Sequence, residues 1–176
     1  MIAITCVDKN WAIGKDDKLL FHIPEDMKYF KRKTMGNIIV MGKNTWNSLP
    51  KRPLEGRINI VVSSKPDDVK DRNSSVIVVS IEDLMPTLKK IDKTLEHTFI
   101  IGGEMLYKEL INQCELALVT SVNTEVQEAN KYFPNLDNML NWVCLTENLN
   151  NKGKIVKVNK EDVLMKFHIY NNTNFK

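Results

Sequence analysis

Short runs of β-branched and other apolar residues recur along the chain, separated by polar stretches with helical spacing. The runs at residues 2–7, 37–41, 58–62, 76–79, 98–101 and 116–122 predict buried strands. Between the first two, Pro24 suits the first position of a helix over residues 24–34. Its spacing puts Ile23, Met27, Phe30 and Thr34 on one side, with Glu25, Lys28, Lys31 and Arg32 largely on the other. A short helix follows Gly42. Ser80 opens another, with Asp83 spaced for a capping box and Pro86 expected to kink or shorten it. Residues 104–111 predict a helix directly after Gly102 and Gly103. The last third reads as β-rich, with strands at residues 142–146 and 164–170 and the polar tail NNTNFK. Strands alternating with helices argue for an α/β sheet. The loop at residues 8–23 is long for a compact domain, and such loops are usually functional.

Composition narrows the classes. A chain of 176 residues suits one domain spanning residues 1–176. Hydrophobic residues at 43% and charged residues at 27% fit an ordinary globular core. The net charge of +3, from 25 basic and 22 acidic residues, is scattered and forms no basic stripe for nucleic acid. Cys6, Cys114 and Cys144 form no CxxC pair, and with His22, His97 and His168 they show no metal spacing. A sparse, odd set of thiols points to a reducing cytoplasm. No signal peptide or membrane span is read at the N-terminus or elsewhere. There is no internal repeat.

Chemistry enters at strand ends. Three strands run into small residues followed by a loop or helix: NIIVM into Gly42, Lys43, Asn44 and Thr45; INIVV into Ser63, Ser64 and Lys65; TFII into Gly102, Gly103 and Glu104. In an open α/β sheet, ligands bind at the carboxyl ends of strands. Helix N-termini there offer N–H groups to phosphate, and glycine permits close approach. Three such sites at alternating strands suggest a dinucleotide, although a single one is commonly just a turn and no G-x-G-x-x-G occurs. Asp26 has two readings. An aspartate in a first turn is favoured by the helix dipole alone. Beside Phe30 at the edge of the apolar face, it also suits an acid on a pocket floor, its pKa raised by desolvation. Arg57, after Leu54-Glu55-Gly56, is an ordinary exposed arginine or a bidentate clamp for a carboxylate.

Taken in order, WAIGKDDKLLFHIPEDMKYFKRKT, IIVMGKNTWNSLPKRPLEGRINIVVSS, FIIGGEMLYKEL and LVTSV resemble the dihydrofolate reductase family, from the first strand to about Pro134. The resemblance implies a three-layer α/β fold, with a mixed, mostly parallel, eight-stranded twisted sheet flanked by helices. It implies hydride transfer from NADPH to C6 of 7,8-dihydrofolate, with protonation at N5. Asp26 matches the family's acid, which bonds the pterin 2-amino group and N3, and Thr120 the threonine that supports it. Ile4, Thr5, Ile101 and Tyr107 would line the pterin and nicotinamide pocket. Phe30 would pack on the pterin, and Leu49 and Leu54 on the aminobenzoyl ring. Arg57 would bind the glutamate α-carboxylate, with Lys31 and Arg52 at the rim. Leu19 and Phe21 belong to the loop that closes over both ligands. For the cofactor, the resemblance implies Gly42, Lys43, Asn44 and Thr45 at the pyrophosphate and adenylate side. Val62, Ser63, Ser64 and Lys65 would lie around the 2′-phosphate. Gly102, Gly103, Glu104, Met105, Leu106 and Tyr107 would pass under the pyrophosphate and ribose. Cys6, Ile13, Gly14 and Lys18 would stand at the nicotinamide end. Antifolate inhibitors are implied as further ligands and a monomer as the usual state of the family's single-function bacterial forms, and the length leaves no room for a fused thymidylate synthase domain.

Two departures stand out. Leu19-Leu20-Phe21 replaces the family's Leu-Pro-Trp, which removes an indole N–H near the substrate and a proline that would preorganise the loop. Asn130 stands where the family often has an aspartate that contacts the mobile loop. The alternatives are a reductase of a ribosylamino-pyrimidine in flavin synthesis and a non-catalytic pterin- or nucleotide-binding protein. Asp26, Phe30 and Arg57 together favour folate.

Overall fold

A computed structural model describes residues 1–70, 73–146 and 152–175. Lys176, the last residue of the polar tail, lies outside them.

The apolar runs form strands where expected: β1 (Ile2–Val7), β4 (Ile38–Gly42), β5 (Ile58–Val62), β6 (Val76–Val79), β7 (Thr98–Gly102) and β8 (Leu116–Val122). They lie side by side in the order β8-β1-β7-β4-β5-β6, and all of these pairs are parallel. Antiparallel strands extend the β8 side. β12 (Glu161–Asn172) pairs β8, and β10 (Trp142–Cys144) and β11 (Lys154–Val158) pair β12. The described residues thus form the eight-stranded path β10-β12-β8-β1-β7-β4-β5-β6, with β11 added to β12.

Strand side chains alternate between faces, and the core divides accordingly. Ala3, Val7, Ile38, Val40, Ile60 and Ile100 join Leu84 and Leu88 of α3 (Ile81–Ile91) and Leu106, Tyr107 and Leu110 of α4 (Glu104–Leu110). Ile4, Ile39, Met41, Val61 and Phe99 face the other way. There they meet Phe30 of α1 (Pro24–Thr34) and Trp46 of α2 (Lys43–Ser48). Both faces are covered, which is why these parallel strands are nearly continuous apolar runs.

Two expectations change. Residues 8–23 carry β2 (Ala12–Lys15) and β3 (Lys18–Leu19), which pair with β9 (Lys131–Tyr132) in a separate three-stranded sheet. α3 runs through Pro86 to Ile91 without being shortened. The N–H that Pro86 lacks would have bonded the carbonyl of Glu82, which lies in the exposed first turn of the helix. The Ser80 hydroxyl caps that helix, accepting from the Asp83 amide at 3.2 Å.

Asp92 closes α3 and is almost buried. Burial raises its pKa, but the amides of His97 and Leu95 and the hydroxyls of Thr98 and Thr94 hold it below the usual carboxylate range. Its contribution to stability is therefore present above the unfolded pKa and lost as pH falls through the lower folded one. Asp92→Ala strands buried donors, and urea denaturation is expected to show a loss of ~2–4 kcal/mol at neutral pH.

Candidate active site

The carboxyl ends of β1, β4, β5, β7 and β8 share one edge of the sheet because their pairs are parallel. The β1–β7 ladder holds Ile2 and Ala3 against Phe99 and Ile100, whereas β1–β8 continues to Val7 opposite Ser121. The sheet opens between β1 and β7 beyond Ala3. Two features line that opening. The Tyr107 hydroxyl donates to the Ile4 carbonyl at 2.7 Å. β7 also bulges against β4, where Val40 faces Ile100 and Met41 faces Gly102. Ile101 is the extra residue, and bulges beside a ligand cleft re-aim side chains in this way.

Asp26 sits in the first turn of α1 and reaches Thr120 on β8. Burial pushes its carboxyl above the usual range, and a hydrogen bond from the Thr120 hydroxyl pulls part of the way back. Thr120 is buried and lies opposite Cys6 in the β1–β8 ladder. The Cys6 thiol is pushed well up by burial and then by the Asp26 charge, so the two groups share one enclosure. Tyr29 reports the same surroundings. Its phenol is raised by burial, and its ring lies 4.3 Å from that of Phe167. Asp26 is thus a carboxylate with one fixed donor in a largely apolar setting, able to pair with N–H groups of a bound ring.

Ile4, Phe30, Leu49, Leu54 and Ile101 pack against one apolar cluster. The apolar residues assigned to the substrate are therefore gathered on the Asp26 face. Arg57 lies at the far end of α1. Its Nη1 donates to Thr34 Oγ1 at 3.2 Å and its Nε to the Glu55 carbonyl at 3.2 Å. Thr34 in turn donates to the Phe30 carbonyl, and the guanidinium carbon sits 6.0 Å from the Phe30 ring centroid. These bonds aim the fork and leave Nη2 with no protein acceptor among the described residues. A cleft of about 400 Å³, lined in part by Lys31, Lys51, Leu54 and Arg57, opens beside it.

Three glycines meet across β4 and β7. A Cβ added to Gly42 would lie 3.8 Å from the Gly103 nitrogen, and one on Gly103 would lie 3.2 Å from Thr45 Oγ1. Gly102 has φ +115°, and a Cβ there would press on the Tyr107 ring at 3.2 Å. Gly102–Gly103 is a cis peptide. The N-caps of α2 and α4 are Gly42 and Gly103, and neither helix start has a side-chain cap. Lys43 lies 3.8 Å from Asp68. Ser64 and Lys65 are exposed at the end of β5, while the Ser63 hydroxyl bonds back to Lys65. A second cleft, about 340 Å³, separates the β2–β3 turn from α2 and is lined by Asp16, Asp17, Lys18, Asn44, Asn47 and Ser48. Glu104 is paired with Lys108.

Several assigned residues take other places. Arg52 donates to the Trp46 and Asn47 carbonyls at the end of α2 and lies over the Trp46 ring. Helical spacing leaves Met105 78% exposed and turns Leu106 into the core. Tyr107 is also buried and reaches the site through its hydroxyl alone. Phe21 is buried with Ile23, Val122, Val156, Val163 and Met165, in a cluster that borders Cys6 and Leu20. Leu19 stands 73% exposed at the hairpin. Ile13 and Val62 pack on the core, and Thr5 bonds Tyr107. Asp16 joins these residues from the run Lys15-Asp16-Asp17-Lys18, whose two aspartates take φ 49° and 58° in a turn that favours them.

The comparisons match this geometry. The family described as dihydrofolate reductase matches residues 1–171. The chain is 36% identical over 151 residues to the dihydrofolate reductase of Bacillus subtilis, covering 86% of this chain and 84% of that protein. It is 31% identical to that of Buchnera aphidicola, covering 86% and 89%. It spans about a quarter of the bifunctional dihydrofolate reductase-thymidylate synthase 2 of Arabidopsis thaliana, at 33% identity over 148 residues, with 76% of this chain covered and 26% of that protein. Among solved structures, the dihydrofolate reductase of Enterococcus faecalis, complexed with NADP(H) and RAB-propyl, superposes with a TM-score of 0.75 at 29% identity, covering 97% and 95%. A sheet opened between β1 and β7, with an acid on one side and glycines on the other, is thus matched in sequence and in fold: the chain belongs to the dihydrofolate reductase family.

Proposed function

We infer that the chain reduces 7,8-dihydrofolate to 5,6,7,8-tetrahydrofolate with NADPH, supplying one-carbon metabolism. The observation that carries this reading is Asp26, an enclosed acid with a raised pKa, bonded to Thr120 at the mouth of the split sheet.

The residues fit the cofactor. Gly42, Gly102 and Gly103 form a backbone cradle that a Cβ would fill, beside two helix starts without side-chain caps. Lys43, Asn44 and Thr45 would hold the pyrophosphate side, and Ser64 and Lys65 the 2′-phosphate. NADPH, when bound, supplies the hydride. Asp26 then holds the pterin through its 2-amino group and N3, and Thr120 fixes the carboxylate. Ile4, Phe30 and Ile101 orient the ring and exclude water, leaving positioning as the main source of rate. The N5 proton arrives through water, while Asp26 polarises the ring. Arg57 takes the α-carboxylate, and antifolate inhibitors compete for the Asp26 pocket. We place the enzyme in the cytoplasm as a single-domain monomer, supported by three free thiols. No described helix is long and apolar enough to cross a membrane.

Mixing the protein with NADPH and dihydrofolate is expected to remove the reduced-nicotinamide absorbance. Cofactor binding without that loss would favour a binding protein, and turnover of the ribosylamino-pyrimidine alone would favour the flavin reductase.

A further inference from the structure

We propose that Asn59 is a positioning residue that sets the preference for a substrate with a carboxylate tail, by holding Leu54 and Arg57 at a fixed separation. This role rests on the reading of the reaction above.

Asn59 is a polar residue in an apolar strand. It is the second residue of β5, 1% exposed, opposite Ile39 of β4 on one side and Val76 of β6 on the other. Strand alternation puts its side chain on the face of Val61, which packs with Ile39 and Val76 in the cluster that Leu54 and Phe30 join. An amide without partners would destabilise the fold at such a place. The partners of Asn59 all come from one turn. Its Oδ1 accepts from the Leu54 amide at 2.9 Å, and its Nδ2 donates to the Leu54 carbonyl and to the Arg57 carbonyl, each at 2.9 Å. The side chain thus engages both the N–H and the C=O of Leu54, as a neighbouring strand would, and reaches the far end of the turn as well. A carboxylate has no donor for the two carbonyls, and a hydroxyl has only one.

The turn that Asn59 closes is one wall of the substrate cleft. Leu54, Glu55, Gly56 and Arg57 all line the cleft of about 400 Å³. A bound tail meets Leu54 with its ring and Arg57 with its carboxylate, so the separation of the two residues matters. Other bonds hold other parts of the turn. The Gly36 amide donates to the Gly56 carbonyl at 2.8 Å, the Ile58 amide donates to the Asn37 carbonyl at 3.0 Å, and Thr34 aims the guanidinium. Among the described residues, only Asn59 bonds the main chain of Leu54. Loss of the amide frees the Leu54 and Arg57 carbonyls and lets Leu54 shift relative to the fork. The chemistry lies elsewhere. Asp26 is in the first turn of α1, whereas Thr34 ends that helix, and Ser63 to Lys65 follow the opposite end of β5.

The test separates the tail from the rest of the substrate. Equilibrium binding of dihydrofolate, of a dihydropterin with only a methyl group at C6, and of NADPH is measured for the wild type, Asn59→Ala, Arg57→Ala and the double variant. Single-turnover hydride transfer is followed at saturating dihydrofolate. Asn59→Ala is expected to weaken dihydrofolate binding ~10-fold, while the methyl pterin, NADPH and the rate of hydride transfer stay within about twofold. In the Arg57→Ala background the same change is expected to cost only about threefold, because Asn59 acts partly through Arg57. Equal losses on both pterins, or a weakened NADPH site, would mark a general defect of β5 and overturn the proposal. A full ~10-fold loss without Arg57 would overturn it too. If Asn59→Ala does not fold, Asn59→Ser, which keeps one donor, is held to the same comparisons. Should the wild type prefer dihydrofolate over the methyl pterin yet oxidise no NADPH, the reading of the reaction fails alone, and the binding ratios still decide the role of Asn59. A wild type indifferent to the tail overturns both.

Discussion

Asp26→Asn is expected to cut dihydrofolate turnover ~10²–10⁴-fold at neutral pH while NADPH still binds. The cofactor cradle of Gly42, Gly102 and Gly103 lies across the split from α1, so its backbone does not depend on the carboxylate. Turnover in the wild type should fall as pH rises through the raised pKa of Asp26, and the asparagine variant should lose that dependence. Stability supplies an independent reading. An acid whose folded pKa lies above its unfolded one stabilises the fold at low pH and loses that contribution as pH climbs through the folded value. At neutral pH the enclosed charge is a burden on the fold, because burial outweighs the Thr120 bond. The asparagine variant is therefore expected to melt higher than the wild type at pH 7. Unchanged turnover would remove Asp26 from the mechanism, and a lower melting point would remove the account of its environment.

Arg57→Ala is expected to weaken dihydrofolate binding by ~2–5 kcal/mol, with little effect on a pterin that lacks the glutamate tail. The side chain is already aimed by Thr34 and the Glu55 carbonyl, so little ordering remains to be done on binding. Burial draws the guanidinium down from its usual pKa, the mark of a cation short of water that an arriving carboxylate would satisfy. Titration of both ligands against wild type and variant separates a clamp from a general defect, since equal losses would point to misfolded α1 contacts.

Strands of the parallel sheet were legible because helices cover both faces of it, so its inner strands read as nearly continuous apolar runs, as Ile38 to Met41 does. Pro24 and Ser80 marked helix starts through local chemistry. The β2–β3–β9 sheet was hidden, since Gly14 meets Lys131 only through pairing across a long stretch of chain, and two-residue strands leave no periodicity. β11 was missed for a related reason: its alternation, Lys154 to Val158, is mixed with charge and gains meaning only beside β12. At the site, glycine at strand ends was readable because backbone packing admits nothing larger. The engagement of Arg52 with α2 was not, because the direction of a long flexible side chain is set by carbonyls that tertiary structure places.

The position of β12 has a consequence for synthesis on the ribosome. The last strand in the sequence is not at the sheet margin. It lies between β8 and β10, and residues 165–171 supply the ladder along the side of β8 that faces away from β1. While the chain emerges, β8 therefore waits as a bare edge, already apolar and already aligned on β1. The nascent protein must shield that edge until residue 172 clears the exit tunnel. Any pause in translation ahead of β12 prolongs the interval in which neighbouring chains can capture the edge.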